Sequence, residues 1–231
     1  VTKHRDLRDW CPVTFHMPVS MEGRFARLER LSLDAHAEAL HAANDVDTGM
    51  WRFLPYGPFL SLGSYRGWVA AAAVSEDPVF YAIRGPQGWS GVASYLRLDG
   101  DNGVIEIGHI AFSAGLQRTP AATEAIHLMI DHAFACGARR VEWKCNAANA
   151  ASRRAAERYG FGYEGTFRQH MVVKGANRDT AWFSILDGDW PGLRAAHRAW
   201  LSPETFDGAG QQRRSLAQMV AEVRAGAGQT T

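Results

Sequence analysis

Between Val104 and Thr123 the chain passes from an almost unbroken apolar run into a helix whose first turn is built of small residues, and that junction limits the fold more than any other feature. Val104-Ile105-Glu106-Ile107-Gly108-His109-Ile110-Ala111-Phe112 reads as a strand. A short turn leads to Gln117-Arg118-Thr119-Pro120-Ala121-Ala122-Thr123 and a helix that runs to about Cys136, where Gly137 stops it. A helix entered this way leaves several backbone N–H groups unpaired and aimed at one spot, where its dipole favours negative charge. The segment is predicted to cradle a pyrophosphate. Gly-x-Gly-x-x-Gly is absent after the strand and no Gly-x-x-x-x-Gly-Lys-Ser/Thr occurs, so neither a dinucleotide fingerprint nor a P-loop is indicated.

Along the rest of the chain, residues 1–20 carry Trp10, Pro12 and Pro18 without periodicity and read as an extended arm. Gly23 to Leu31 is predicted as a first strand, and Leu33 to Ala43 and Tyr65 to Ser75 as helices. Pro78 to Arg84 and Trp89 to Leu98 are strands joined around Gly85-Pro86-Gln87-Gly88. The turn Asp99-Gly100-Asp101-Asn102-Gly103 then makes Val104 to Phe112 the next strand of an antiparallel meander. In the following helix Ala122, Ile126, Met129, Ile130 and Ala133 share one face, leaving Glu124, His127 and Asp131 on a solvated one. Strand Arg139 to Cys145, helix Ala150 to Tyr159 and strands Gly165 to Val173 and Arg178 to Leu186 follow. Trp190 to Leu201 and Gln212 to Arg224 are helices; in the second, Leu216, Met219, Val220 and Val223 form a stripe expected to dock on the domain or on a second subunit. Ala225 to Thr231 is expected to be mobile. The order indicates an α+β fold, a mixed and mostly antiparallel central sheet flanked by helices with a C-terminal helical extension. The expected boundaries are an arm over 1–20, a domain over 21–189 and an extension over 190–231.

With 231 residues, 46% of them hydrophobic, the chain can bury one sizeable core. Its 25 Lys and Arg against 24 Asp and Glu, with no polybasic block, argue against nucleic acid and anionic membrane as partners and for small molecules or peptides. Cys11, Cys136 and Cys145 have no metal-like spacing, and their sparse, odd count suits a reducing compartment. His36 with His41 and His127 with His132 are five apart, off a shared helical face, so no metal is expected. The first residues lack the apolar core of a signal peptide, and the run from Val69 to Val74 is too short to span a bilayer; a cytoplasmic location is expected.

The segment Gln117 to Ala125 resembles the acyl-CoA signature Gln/Arg-x-x-Gly-x-Gly/Ala of the GCN5-related N-acetyltransferase (GNAT) superfamily, with Gln117, Pro120 and Ala122 at its three defined positions and Pro120 in place of Gly. A second stretch, Asn149-Ala150-Ala151-Ser152 through Gly160-Phe161, is similar to the Asn-x-x-Ser…Gly-Phe segment of the ribosomal-protein N-terminal acetyltransferase branch. Together they cover roughly residues 80–185. The resemblance implies the GNAT fold and transfer of an acetyl group from acetyl-CoA to a primary amine of a small molecule, amino-acid derivative or peptide. A homodimer is a possible assembly. It also implies that acetyl-CoA meets the backbone of Ile110, Ala111 and Phe112, the cradle of Gln117, Arg118, Thr119, Ala121, Ala122 and Thr123, and Asn149 and Ser152. Arg118 ranks ahead of Arg153 and Arg154 for the phosphates. The tyrosine many members use against the leaving thiolate is Ala156 here, so Ser152 is the candidate for that role. The branch's glutamate near the end of its penultimate strand is Met171 here.

For the proton, Glu106 is the carboxylate of the central strand; alternation puts it on one face with Gly108 and Ile110 and turns His109 the other way. Transfer through water alone stays open. Met50 to Tyr56 has the aromatic, irregular character of an acceptor-binding loop. The alternative reading is a catalytically silent acyl-CoA-binding or regulatory module, suggested by Ala156, Pro120 and Met171.

Overall fold

The computed structural model describes residues 6–44, 48–208 and 210–227; Val1 to Arg5 of the expected arm and Gly228 to Thr231 of the expected mobile tail lie outside the described residues. Eight strands form one sheet, β1 (Ser20–Glu22), β2 (Arg27–Arg30), β3 (Val79–Gly85), β4 (Gly88–Asp99), β5 (Val104–Phe112), β6 (Arg140–Asn146), β7 (Gly162–Val173) and β8 (Ala176–Leu186), in the order β1-β2-β3-β4-β5-β6-β8-β7. All neighbours are antiparallel except β5 with β6. Helices α1 (Leu33–Asn44) and α2 (Leu62–Ala73) cover one face; α3 (Pro120–Ala135), α4 (Ala150–Tyr159), α5 (Trp190–Leu201) and α6 (Leu216–Ala227) cover the other. The mixed sheet and its flanking helices are as the sequence pattern led one to expect.

Strict alternation explains how the central strands serve both faces. In β3, Val79, Tyr81 and Ile83 enter the core beneath α3, while Phe80 and Ala82 enter the core under α1 and α2. Each such side chain, fully removed from water, contributes roughly 1.5–3 kcal/mol of transfer free energy. In β5 the alternation slips. Ile105 and Ile107 face the α3 side, but so do Ile110 and Phe112, because the register shifts between Val92 and Ser94 of β4 and His109 takes a left-handed φ of +51°. This β-bulge corrects the expected facing: His109 joins the side of Glu106, and Ile110 leaves it.

Two further expectations are corrected. Gly23 to Leu31 is not one strand, because the carboxylate of Glu124 accepts the N–H groups of Arg24, Phe25 and Ala26 at 2.5–2.9 Å and holds a turn between β1 and β2. A Cβ on Gly23 would sit 2.3 Å from the Glu124 carboxyl carbon, so the close approach requires glycine. Correspondingly, the face of α3 expected to be solvated is largely covered. Glu124 is buried in that turn, and His127 is buried against Trp190 and His197 of α5. Asp131 accepts bonds from Trp190 Nε1 (3.2 Å) and Arg194 Nη2 (2.8 Å).

Leu193, Trp200, Leu201, Leu216 and Val220 belong to the same core as α3, so the extension packs on its own domain and the α6 stripe is spent there. The helix α6 starts at Leu216 rather than Gln212, because Gln212 bridges Phe206 and accepts Trp200 Nε1 at 3.0 Å, and it continues past Arg224 to Ala227. At the other end, Trp10 Nε1 donates to Asp101 O at 2.9 Å, anchoring the arm to the turn before β5.

Burial holds His197 at about 3 and His127 at about 4, well below the ordinary value of 6.5. Between 6.5 and about 4 the unfolded chain binds protons that the folded chain refuses, so the associated stability is complete above pH 6.5 and is lost as pH falls. Thermal melts are expected to show Tm dropping steadily from pH 7 to pH 4.5. At pH 5 one such histidine accounts for about 2 kcal/mol, and His197→Gln should flatten the slope.

Candidate active site

The parallel pairing of β5 and β6 lasts for three residue pairs, Val104↔Arg140, Ile105↔Val141 and Glu106↔Glu142. Beyond it β5 stays with β4 as far as Phe112↔Gly91, while β6 stays with β8 as far as Asn146↔Thr180, and a wedge opens. A cavity of about 180 Å³ lies in it, lined by Glu106, His109, Lys144, Ser152, His170 and Arg178 among others. Met50, Phe53, Leu54 and Pro55 form a wall of the cavity. Lys174 Nζ, at the tip of the β7–β8 hairpin, donates to Trp51 O at 2.8 Å and ties that wall to the opposite side.

At the apex the register puts two buried carboxylates, Glu106 and Glu142, side by side. Lys144, two residues along β6 from Glu142 and so on the same face, lies 3.0 Å from Glu106 Oε2 and 2.6 Å from Glu142 Oε2. Arg97 also bonds Glu106 Oε2, and Arg140 Nε bonds Glu142 Oε1 at 2.7 Å. Glu106 Oε1 has no hydrogen-bond partner among the described residues and faces Gly108, where a Cβ would approach it to 3.3 Å and Leu96 Cδ2 to 2.9 Å. His109 Nδ1 lies 3.2 Å from the Tyr56 hydroxyl with the rings stacked, and burial pushes its pKa down to about 4, with Arg97 and Arg178 adding to the effect.

On the β6 side, Asn149 caps α4 by accepting the Ser152 N–H at 3.1 Å. Ser152 Oγ accepts the Trp143 indole N–H at 3.0 Å, which leaves its hydroxyl proton directed elsewhere, beside the cavity. Burial raises the pKa of the neighbouring Cys145 thiol. Tyr159 packs in the core against Trp143.

The cradle is narrower than the sequence suggested. Thr119 Oγ1 accepts the Ala122 N–H at 3.1 Å and donates to Leu116 O at 2.7 Å, so the cap consumes both the hydroxyl and that amide. Thr123 Oγ1 accepts from Arg158 Nη1 at 3.0 Å, and Gln117 Nε2 turns back to Phe112 O at 2.8 Å. The N–H groups of Arg118, which has φ +61°, and of Ala121 carry no partner among the described residues. Beside them is a second cavity of about 480 Å³, lined by Arg118, Thr123, Arg158, Trp200 and Phe206 among others. Arg158, missed in the sequence, has no carboxylate partner there; it lies over the Trp200 ring at 4.9 Å, and burial lowers its pKa. Open amides at a helix N-terminus next to a guanidinium without a carboxylate partner among the described residues are suited to phosphate. Arg153 instead lies over Tyr163, and Arg154 is exposed.

Arg97, Lys144 and Arg178 were also missed. Lys144 at two residues from Glu142 was a legible sign of a shared face, whereas nothing near Arg178 in the sequence marked it. No group of three or more His, Cys, Asp or Glu among the described residues is placed to hold a metal ion, and no described helix is long and apolar enough to cross a membrane.

Residues 26–162 match the family model described as acetyltransferase (GNAT) domain. Among solved structures, the chain is similar to a GCN5-related N-acetyltransferase from Brucella melitensis, at 44% identity over 93% of this chain and 100% of that one, with a TM-score of 0.91. It is similar to a probable acetyltransferase of the GNAT family from Chromobacterium violaceum at 38% identity over 83% and 98%, with a TM-score of 0.76. An acetyl transferase from Salmonella typhimurium that modifies the N-terminal serine of a 50S ribosomal subunit protein shares the fold, at 22% identity over 73% and 97% and a TM-score of 0.61. No curated protein matches the sequence.

Titrated CoA is expected to raise Tm, as a ligand selective for the folded state must. Arg158→Gln should weaken CoA at least tenfold by calorimetry, loss of one charge-assisted phosphate contact being worth about 1.5–3 kcal/mol.

Proposed function

The chain belongs to the GNAT acetyltransferase family, and from that premise we propose that it acetylates a primary amine held in the wedge between β5 and β6. Acetyl-CoA, which GNAT acetyltransferases use, supplies the acetyl group as a thioester. The observation that carries the reading is that Glu106 and Ser152, one on each diverging strand's side, face the same cavity.

On the donor side, the amides of Arg118 and Ala121 and the side chains of Arg118 and Arg158 hold phosphate. The backbone of Ile110 and Ala111 lines the opening edge of β5 and offers its polar groups to the acyl arm. Ser152 meets a departing thiolate: the Trp143 N–H occupies one lone pair of its oxygen, and its hydroxyl, which also reaches the neighbouring Cys145, turns a hydrogen bond toward the sulfur. Asn149 holds Ser152 at the right turn of α4, and Ala121 and Ala122 keep the helix start slim enough for close approach.

The proton of the amine goes to Glu106 Oε1, directly or through one water. Lys144 and Arg97 grip Oε2, which keeps the carboxylate's orientation fixed while its second oxygen stays open beside Gly108. His109 is a poor candidate for this step near neutrality, since its own titration lies at about 4. Three free cysteines and a donor made inside cells support a cytoplasmic setting.

Two measurements test the assignment. Ser152→Ala should lower kcat on the order of 100-fold while CoA affinity holds, the pattern of a contact made in the transition state. Glu106→Gln should depress kcat/KM throughout the ascending limb of the pH profile, with normal turnover removing Glu106 from the mechanism. CoA binding without release of free thiol for any amine would establish the silent module instead.

A further inference from the structure

The acetyl-transfer chemistry leaves one charge in the cavity unused. Arg97 and Lys144 are both paired with Glu106, and Lys144 with Glu142 as well. Arg178, on β8 two residues before Thr180, forms no ion pair within 4.0 Å among the described residues, Glu106 acting on its charge only from farther off, and its Nε is buried without any hydrogen bond. It lines the same cavity as Glu106 and Ser152. Leaving a guanidinium part-buried and unpaired costs stability, and a well-packed neutral side chain would avoid the cost. Arg178 lines the cavity, and the planar donor fork of a guanidinium matches a carboxylate.

The wall chemistry points the same way. Three cations, Arg97, Lys144 and Arg178, line the cavity beside the carboxylate of Glu106, and Lys144 is shared with Glu142 behind it, two carboxylates against three cations. A plain alkylammonium entering there adds positive charge to a surface already in positive excess. A zwitterion does not.

Resting on the reading of this cavity as the acceptor site, we propose that the acceptor is an amino-acid-like molecule bearing a carboxylate near the reacting amine, with that carboxylate bound by Arg178. The amine then lies toward Glu106 Oε1, and Arg178 sets specificity by position and charge and takes no proton.

The experiment measures acetyl transfer to matched pairs, each amino acid beside the amine it becomes on loss of its carboxyl group, with wild type, Arg178→Gln and Arg178→Lys. In wild type the carboxylate-bearing member of at least one pair should be preferred on the order of 100-fold in kcat/KM. Arg178→Gln should collapse that preference, mainly through KM, and Arg178→Lys should recover part of it. Thermal melts and CoA titration of each variant show that fold and donor site persist. Decarboxylated amines acetylated as well as their parents, or both members losing rate equally in Arg178→Gln, would overturn the proposal and leave amine acetylation standing. No transfer to any amine would overturn both.

Discussion

A lysine between two glutamates holds the apex of the wedge. The last paired residues of the parallel strands, Glu106 and Glu142, bring like charges together where both are buried, an arrangement that by itself would push the strands apart. Lys144 bridges them, Arg97 and Arg140 close the ends, and Arg140 continues to Glu164 on β7. Removing one member of such a buried network costs about 3–5 kcal/mol because the others are left unpaired. The divergence of β5 and β6 therefore starts from a point fixed by charge, and everything placed along the two strands is positioned relative to it.

The helical layer fixes the donor side by different means. Glu124 ties α3 to the first hairpin through three backbone donors, so the helix whose N-terminus forms the cradle cannot slide along the sheet. Arg158 of α4 joins Thr123 of α3 on one side and Trp200 of α5 on the other. The C-terminal extension is thus part of the wall of the cavity proposed to take the donor, continuous with the core beneath it.

The fold was legible wherever a periodic pattern met a turn signal: β3 and β4 around the Gly85 to Gly88 turn, β5 into α3, α4 between Asn149 and Gly160. It was illegible where a long-range contact overrode the pattern. Glu124 and His127 have the spacing of a solvated face and are buried only because α5 and the first hairpin lie over them. The bulge at His109 reverses the facing of the residues after it, and the lone Gly108 just before it is its one sign in the sequence. In the site, Ser152 and Asn149 could be read from their four-residue motif, and Arg118 from its place in the loop. Arg158 and Arg178 could not, because whether an arginine finds a carboxylate to pair with is a fact of three dimensions.

The bond from Lys174 to Trp51 O joins two segments that contribute nothing to the cradle: a short 3-10 helix, Thr48–Phe53, found where the sequence suggested an irregular loop, and the tip of the outermost hairpin. On the proposed reading the acceptor's walls are built at the periphery, from pieces the charge network at the apex does not need, while the donor is held by backbone and by helix starts. On that reading, exchange of residues along that segment and hairpin would retune what is acetylated and leave the grip on the donor intact, so diversification of this scaffold has a route that bypasses its costliest interactions.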